Sequence, residues 1–285
     1  MELRALPLAD KYRRILDTCE PFLISYPANW PFLDLNPFGI TITEDHRYTA
    51  TSLRSRGVVD GLHQLDAVTF GDQEMLMPRW VMFDCGEFPG IVVGFGRRAR
   101  DLPLYAREAY RVVEDDDAFV PLSMWVAIRC AEEGAWFGHN LSSANLILKG
   151  DERLGGLATL TKILGVKVSQ STRQYGATQW TSKSIDLHNK LGRMHILSAY
   201  TPAHTHPETL AYRIDVNEEE LVQSLLTDYE APSGQGERVI DPYDHHAIRA
   251  LHDEIERGAE WYLLRTERQG TLPAKLHLNP VGARD

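Results

Sequence analysis

The sequence has few cysteines, no long apolar segment and no excess of basic residues. Cys19, Cys85 and Cys130 are too few and too far apart for a disulfide framework or a zinc cluster, so we expect a reduced, cytoplasmic protein. No run approaches the roughly eighteen apolar residues that a membrane-spanning helix needs. The first residues mix acidic and basic side chains, so we expect no secretory signal there.

The charge balance excludes a further class of partner. The 285 residues include 30 Lys and Arg against 40 Asp and Glu, a formal net charge of -10, which disfavours a general nucleic-acid binder. With 43% hydrophobic and 25% charged residues, the composition is that of a globular chain long enough to bury a core. We therefore expect a small-molecule substrate, no nucleic-acid or membrane partner, and possible homo-oligomers.

Several catalytic signatures are also missing from the sequence. It contains no G-x-S-x-G elbow, no P-loop, no G-x-G-x-x-G after a predicted strand and no H-E-x-x-H. Serine hydrolysis, nucleotide hydrolysis, dinucleotide oxidoreduction and zincin proteolysis therefore lack their usual sequence motifs.

Apolar residues at helical spacing predict five helices, of which the third is expected to end at Gly165 as a left-handed cap. The predicted helices span 10–19, 58–70, 157–164, 218–226 and 244–264. Apolar runs rich in β-formers predict strands, the third of them central in a sheet. The predicted strands span 79–84, 90–95, 120–129, 166–172, 184–191, 194–200 and 210–216.

Two of the strand pairs are predicted to be hairpins. A Gly-Glu-Phe-Pro-Gly turn at 86–90 separates the first pair, and Gly192-Arg193 separates 184–191 from 194–200. A helix over 184–191 is the alternative, because its apolar residues also fit a helical period.

This order of elements predicts an α+β fold. We expect a mixed or antiparallel curved sheet that encloses an apolar pocket, with N-terminal helices and a long C-terminal helix. The predicted segments are an N-terminal helix and wrapping arm at 1–57, a core domain at 58–226, a linker at 227–241, a helix at 242–265 and a tail at 266–285.

Two polar stretches are candidates for a ligand pocket. Residues 134–145, GAWFGHNLSSAN, place His139 and Asn140 beside aromatic rings, a pattern that fits either a substrate pocket or a strand end with a turn. The second stretch, RQYGATQW, combines the polar Gln179 with the rings of Tyr175 and Trp180, which suit a pocket wall or half-buried strand positions.

A third stretch, His204-Thr-His206-Pro-Glu208, has metal-ligand residues at alternating positions. Its flanking prolines favour a surface loop, so we expect no metal and no other cofactor.

Two lysines are candidates for a reactive amine. Lys162 and Lys167 flank Gly165 in LTKILGVKV, where contact with an apolar sheet would lower the lysine pKa. A solvent-directed Lys162 and an edge-strand Lys167 are the alternative interpretation.

From 105 to 200 the order of elements resembles the acetoacetate decarboxylase-like superfamily. The corresponding pieces are Tyr105 to Glu108, Phe119-Val120-Pro121 with its strand, and the turn from Lys162 to Lys167, which has one lysine where the family has two. The resemblance implies a lyase-type enzyme acting on a carbonyl- or carboxylate-bearing metabolite by decarboxylation, aldol, dehydration or cyclisation chemistry.

In that interpretation Lys167 or Lys162 is the amine and Glu108 the acid–base group. Arg173 holds a carboxylate, since its planar fork matches two oxygens. The residues that would orient the substrate are His139, Asn140, Gln179, Trp180 and Tyr175.

A second resemblance is to acetyl-CoA-dependent N-acyltransferases. GAWFGHNL followed by an apolar helix is similar to their pyrophosphate-binding turn, in which backbone N–H groups surround the phosphates. Here Trp136 stands at the central glycine, and Glu132 and Glu133 stand where a basic residue is expected. An N-acyltransferase is therefore the second hypothesis, and a non-catalytic small-molecule binder is the third.

Overall fold

The computed structural model describes residues 2–73, 75–87, 90–230 and 232–282. The chain divides into two compact units. Unit 1 comprises Met1–Ala131 and Gly138–Ser171, and unit 2 comprises Glu132–Phe137 and Thr172–Asp285. In the described part of the chain, no helix is long and apolar enough to cross a membrane.

Within its described residues, unit 1 combines five α-helices with a mixed sheet. Its elements are α1 (Asp10–Thr18), β1 (Glu20–Ile24), β2 (Arg47–Tyr48), α2 (Arg56–Phe70), α3 (Arg79–Glu87), β3 (Gly90–Arg98), α4 (Leu104–Tyr110), β4 (Phe119–Pro121), β5 (Ser123–Arg129), β6 (Ala135–Ser143, of which 138–143 belong to this unit) and α5 (Leu157–Val168). The strand order is β2-β1-β3-β5-β6, and β4 pairs with the end of β3. Only β1 and β2 are parallel among the strand pairs β1–β2, β1–β3, β3–β4 and β3–β5.

The core of unit 1 lies where α5 packs on β3 and β5. The first eight residues of β3 are buried, and ten of the twelve residues of α5 are buried. Gly165 lies inside α5 directly against the ring of Trp125 on β5, and a Cβ at this position would overlap the indole. The glycine therefore serves close helix–sheet packing.

Unit 2 is an antiparallel sheet with three short helices. Its elements are β7 (Arg173–Gln179), α6 (Ile185–His188), β8 (Gly192–Ser198), β9 (Thr209–Val216), α7 (Glu218–Gln223), β10 (Arg238–Ile240), α8 (His245–Glu256), β11 (Trp261–Gln269) and β12 (Leu272–Pro280). The strand order is β10-β12-β11-β8-β9-β7, and each neighbouring pair is antiparallel. Side-chain caps begin two of the helices, since Asn217 accepts N–H bonds at the start of α7 and Asp244 at the start of α8.

The α+β class and the mixed sheet are confirmed, as is the inner position of β5, which lies between β3 and β6. The enclosed apolar pocket and the division into five segments remain predictions. The 58–70, 90–95, 194–200 and 210–216 elements all form close to their predicted bounds.

Three segments differ from their predicted structure. Residues 79–84 belong to α3, and residues 166–168 continue α5, because Gly165 is an interior packing position. Residues 184–191 form α6 and a 3-10 turn, which was the alternative interpretation. Phe88 and Pro89 of the predicted 86–90 turn lie outside the described residues.

The C-terminal helix is shorter than the predicted 244–264 helix. Apolar residues at helical spacing continue beyond the end of α8, which is why the sequence predicts a longer helix. The helix ends at Glu256, Gly258 has a left-handed φ of 98°, and residues 261–280 form the hairpin of β11 and β12. The predicted tail is thus largely strand.

Candidate functional site

Residues 134–145 are a strand rather than a turn that precedes a helix. Ala135–Ser143 form β6, and the chain then enters a 3-10 turn at Ala144–Leu146. The resemblance of GAWFGHNL to a pyrophosphate-binding turn is therefore wrong in its position. The glycine turn that does lead into a long helix comes later, at 153–156, immediately before α5.

This later turn is fixed in place by Asn145. The Asn145 side-chain amide donates to the carbonyl of Leu154 and accepts from the Leu154 N–H, each at 2.8 Å. Arg153 is tied to the same loop, since its Nε donates to the Leu148 carbonyl at 3.2 Å. Because these bonds come from neighbouring backbone and side chains, the turn is ordered before any ligand arrives.

Two backbone N–H groups at the start of α5 have no hydrogen-bond partner among the described residues. Gly156 is the N-cap of the helix in a left-handed conformation, with φ 79° and ψ 1°, and no side chain caps the helix. Within the described residues, the N–H groups of Ala158 and Thr159 make no hydrogen bond outside the helix, and the first turn of a helix offers them no partner inside it. Such a glycine turn with free N–H groups at a helix N-terminus is a binding place for a phosphate or another anion.

Basic side chains surround this N-terminus. Arg153 is exposed, and the Cβ of Lys11, on α1, lies 3.7 Å from the position that a Cβ on Gly155 would occupy, while the Lys11 Nζ lies 4.9 Å from the centre of the Tyr12 ring. Arg14, also on α1, donates to the Asp151 carbonyl at the entrance to the turn. The nearby acid Glu152 is paired with Arg97 at 3.5 Å, which reduces its repulsion of an anion.

A polar network connects β6 to α2. Asp66 is only 1% exposed, and its carboxylate accepts hydrogen bonds from the Met77 N–H at 2.7 Å and from Asn140 Nδ2 at 3.0 Å. Burial raises the pKa of the Asp66 carboxyl, while the two hydrogen bonds act in the opposite direction. The other end of the Asn140 amide, Oδ1, lies 2.7 Å from Nδ1 of the exposed His139.

This network defines a tautomer for His139. Since Asn140 Nδ2 donates to Asp66, Asn140 Oδ1 faces the imidazole and can only accept a hydrogen bond. His139 Nδ1 therefore carries a proton, and in the neutral imidazole the lone pair is on Nε2. Asp66, Asn140 and His139 are a buried acid, an amide and an imidazole in series, an arrangement that orients a general base.

The predicted lysines and Glu108 occupy different environments in unit 1. Lys162 is 1% exposed in the middle of α5, and desolvation lowers its pKa to about 7. Lys167, near the end of the same helix, is half-buried with its Nζ 4.8 Å from the centre of the Phe38 ring. Glu108 is exposed on α4.

The remaining predicted site residues belong to unit 2. Arg173 forms ion pairs with Glu132 and, at 3.8 Å, with Asp215, and Tyr175 donates to Glu132 at 2.9 Å. The predicted carboxylate clamp thus contacts carboxylates of the protein itself.

Gln179 and Trp180 lie at the far end of β7. Gln179 is half-buried and pairs with Thr209, and the Trp180 indole is buried and donates to the Ala199 carbonyl at 2.8 Å. Of all the predicted site residues, the structure thus joins His139 with Asn140 and Arg173 with Tyr175.

The His204–Glu208 loop has no metal-binding arrangement. His204 Nδ1 accepts from the His206 N–H at 3.0 Å, and Glu208 instead pairs with His245 at 3.3 Å. No group of three or more His, Cys, Asp or Glu in the described part of the chain is placed to hold a metal ion.

Sequence reasoning missed the residues of the glycine turn, namely Arg153, Gly155 and Gly156. The available signal was the sequence Arg-Leu-Gly-Gly at 153–156, directly before the apolar run at 157–164. The aromatic-rich 134–145 segment carries a similar local pattern of glycines beside polar residues, so the sequence does not distinguish the two segments.

Comparisons with known proteins give limited matches. No family model and no curated protein matches the chain. Among solved structures, a chain of the NatC complex bound to Gag peptide and CoA matches 58% of this chain and 95% of its own, at 9% identity and a TM-score of 0.40. An aminoglycoside 6'-acetyltransferase type Ii matches 56% of this chain and 89% of its own, at 13% identity and a TM-score of 0.35.

The resemblance to the acetoacetate decarboxylase-like superfamily is wrong, and so is the lyase-type function that it implied. The resemblance depended on a helix that ends at Gly165 and on strands at 166–172 and 184–191. In the structure α5 continues through Gly165 to Val168, and 185–188 are helical.

Proposed function

We propose that this chain is a CoA-dependent N-acyltransferase, which transfers an acyl group from an acyl-CoA thioester to an amine. The observation that carries this proposal is the turn at 153–156, where Gly156 opens α5 without a side-chain cap beside Arg153 and Lys11. A pyrophosphate carries negative charge that the helix N–H groups and the nearby cationic residues Arg153 and Lys11 would stabilise together. CoA is a substrate that brings a pyrophosphate and a reactive thioester in one molecule.

The network on β6 supplies a base for the same reaction. The amine nitrogen attacks the thioester carbonyl carbon, the C–S bond breaks, and the products are an amide and a CoA thiol. One proton leaves the attacking nitrogen and one proton is taken up by the departing sulfur, so the reaction needs no external oxidant or reductant. His139, with its lone pair on Nε2, accepts the amine proton, while Asn140 and Asp66 keep the ring oriented.

Strand β6 connects the two parts of the proposed site, the His139 network and the glycine turn. His139 lies on β6, and Asn145, which holds the turn, lies just after the strand ends. Six residues of extended chain span about 20 Å at most, which is the order of length of a pantetheine arm. A CoA molecule with its pyrophosphate at the turn could therefore present its thioester along this strand.

The first experiment compares ligands that differ in the pyrophosphate. CoA should raise the melting temperature of the full chain through mass action, whereas pantetheine, which lacks the pyrophosphate, should have little effect. Replacing both cations, as Lys11→Ala/Arg153→Ala, should weaken CoA binding about tenfold or more, since charge-assisted bonds are lost. The matched control, Lys183→Ala/Arg257→Ala, removes the same charge from unit 2.

The second experiment tests turnover. Release of free thiol from acetyl-CoA should depend on an added amine, with a panel of amino-terminal peptides and polyamines as acceptors. CoA binding without amine-dependent release would favour the non-catalytic binder. The absence of any CoA effect on the melting temperature would overturn the proposal.

A further inference from the structure

One side of α1 follows the loop that leads into the glycine turn. Residues three or four apart in a helix share a face, so Lys11, Arg14 and Thr18 lie on the same side of α1. The Lys11 Cβ lies close to Gly155, and Arg14 donates to the Asp151 carbonyl. The contacts thus move back along the loop as the helix advances, and α1 runs beside the loop.

Arg97 extends these contacts to the end of α1. This residue of β3 is only 6% exposed, and its Nη2 donates to Thr18 Oγ1 at 2.6 Å while its Nε donates to Cys19 Sγ at 3.4 Å. Its Nη1 lies 3.5 Å from the carboxylate of Glu152. A buried guanidinium therefore joins the C-terminal end of α1 to the residue just before the turn.

Tyr12 contacts the turn itself from the buried side of α1. The residue is 1% exposed, and a Cβ on Gly156 would lie 2.5 Å from Cε1 and 3.0 Å from Cδ1 of its ring. The Lys11 Nζ lies 4.9 Å from the centre of the same ring. One aromatic ring is therefore in contact with the glycine that opens α5 and with a lysine of α1.

The contact with Tyr12 restricts a residue that has little conformational preference of its own. Glycine adopts left-handed and right-handed backbone conformations with similar ease, so Gly156 alone does not hold φ at 79°. A ring packed against the Gly156 Cα leaves less space for the alternatives. The helix N–H groups that follow then keep their direction before a ligand arrives, which reduces the conformational freedom lost on binding.

We propose that Tyr12 is a positioning residue for the acyl-donor site, and that α1 is part of this site. Tyr12 does not touch the ligand. Its ring holds Gly156 in the conformation that directs the free N–H groups of α5 toward the pyrophosphate. This inference rests on the proposed function, because it concerns the affinity for CoA.

The first test uses the unmodified full-length chain, with hydrogen exchange followed by mass spectrometry. Saturating CoA should slow the exchange of backbone amides in 10–18 as well as in 150–160, because ordering the turn also stabilises the helix packed on it. Pantetheine should slow neither segment, and 104–110 in α4 is the internal control. Protection of 150–160 without 10–18 overturns this inference and leaves the proposed function intact, whereas no protection by CoA anywhere overturns both.

The second test separates the ring of Tyr12 from a general effect on stability. Tyr12→Phe keeps the ring and should bind CoA like the wild type, whereas Tyr12→Leu should raise the Kd for CoA about fivefold, the factor expected for one lost aromatic contact. Tyr110→Leu removes another buried tyrosine of unit 1 and is the matched control, which should lower the melting temperature without changing this Kd. A wild-type Kd in Tyr12→Leu, or equal losses of affinity in Tyr12→Phe and Tyr12→Leu, would overturn the assignment. If Tyr12→Leu does not fold, the exchange experiment on the wild type decides.

Discussion

Asn145 and the backbone of Leu154 exchange two hydrogen bonds of 2.8 Å, so that one side-chain amide closes the loop between β6 and α5. This contact holds the chain at the residue just before the Gly155-Gly156 pair. A turn that is already ordered loses less conformational freedom when it binds a ligand. The same two bonds therefore contribute to the stability of unit 1 and, under the proposed function, to the affinity for CoA.

Replacing Asn145 by Ala should remove both contributions together. We expect the free energy of unfolding to fall by about 1–3 kcal/mol, because the buried polar groups of Leu154 lose their partners. CoA affinity should fall as well, and urea denaturation with calorimetric titration would measure the two effects. Asn189→Ala, which removes one bond to the Leu264 carbonyl in unit 2, should leave CoA affinity unchanged. Equal losses of affinity in both variants would speak against a role for the turn.

The two glycines of the turn should respond differently to alanine. At Gly156 a Cβ would lie 2.5 Å from the Tyr12 ring, and the φ of 79° is unfavourable for alanine, so Gly156→Ala should cost about 1–3 kcal/mol of stability. At Gly155 the nearest atom would lie at 3.7 Å, so Gly155→Ala should fold normally.

Gly155→Ala should nevertheless weaken CoA binding, because a methyl group would stand where the backbone approaches a phosphate. Thermal melts with and without CoA would separate the two effects. A Gly155→Ala variant with wild-type affinity would show that the phosphate does not approach this residue.

His139 should matter for the rate of acyl transfer and not for the binding of the acyl donor. In His139→Ala we expect kcat to fall by about 10²–10⁴, the usual contribution of a general base, with CoA affinity unchanged. Steady-state rates of thiol release and a CoA titration would measure these quantities. His246→Ala is the control, and a His139→Ala enzyme with full activity would remove the imidazole from the mechanism.

Lys162 should make stability depend on pH in a defined window. Its ordinary pKa is 10.5, and burial lowers the pKa in the folded chain to about 7. Between these values the unfolded chain binds more protons, so the free energy of unfolding rises with pH through this window. Below pH 7 both states are protonated, and the full cost of burying the charge is present.

The variant Lys162→Met should therefore be more stable than the wild type at pH 6, by a few kcal/mol. This gain should shrink as the pH approaches 10. Urea denaturation across this range gives the difference, with the half-buried Lys167→Met as control. A difference that is constant with pH would contradict the assignment of the shift to Lys162.

The sequence predicted the fold class and most regular elements because their apolar periods are local properties. The helix at 58–70 and the strands at 90–95 and 210–216 each have a period that only one secondary structure satisfies. The segment 184–191 did not, since its apolar residues fit both periods, and tertiary packing produced α6 and the 3-10 turn that follows it. Gly165 was misinterpreted as a cap because its contact with Trp125 joins positions forty residues apart.

The candidate site was only partly predictable for the same reason. His139 and Asn140 stood out as neighbouring polar residues beside aromatic rings. Their partner Asp66 is more than seventy residues away and carries no local signal. The glycine turn had a local signal in its Arg and Gly-Gly residues, but its support by Asn145 and by Lys11 on α1 is again a tertiary property.

The contact between Gly165 and Trp125 determines how closely α5 packs on the sheet. The helix is about 18 Å long at 1.5 Å per residue, and its backbone rests directly on the sheet near the end opposite to the turn. A side chain at position 165 would overlap the Trp125 indole, so the helix and the strand that carries Trp125 would have to move apart at this point. Under the proposed function, a buried residue distant from the ligand would then affect the position of the helix N-terminus and with it the ligand affinity.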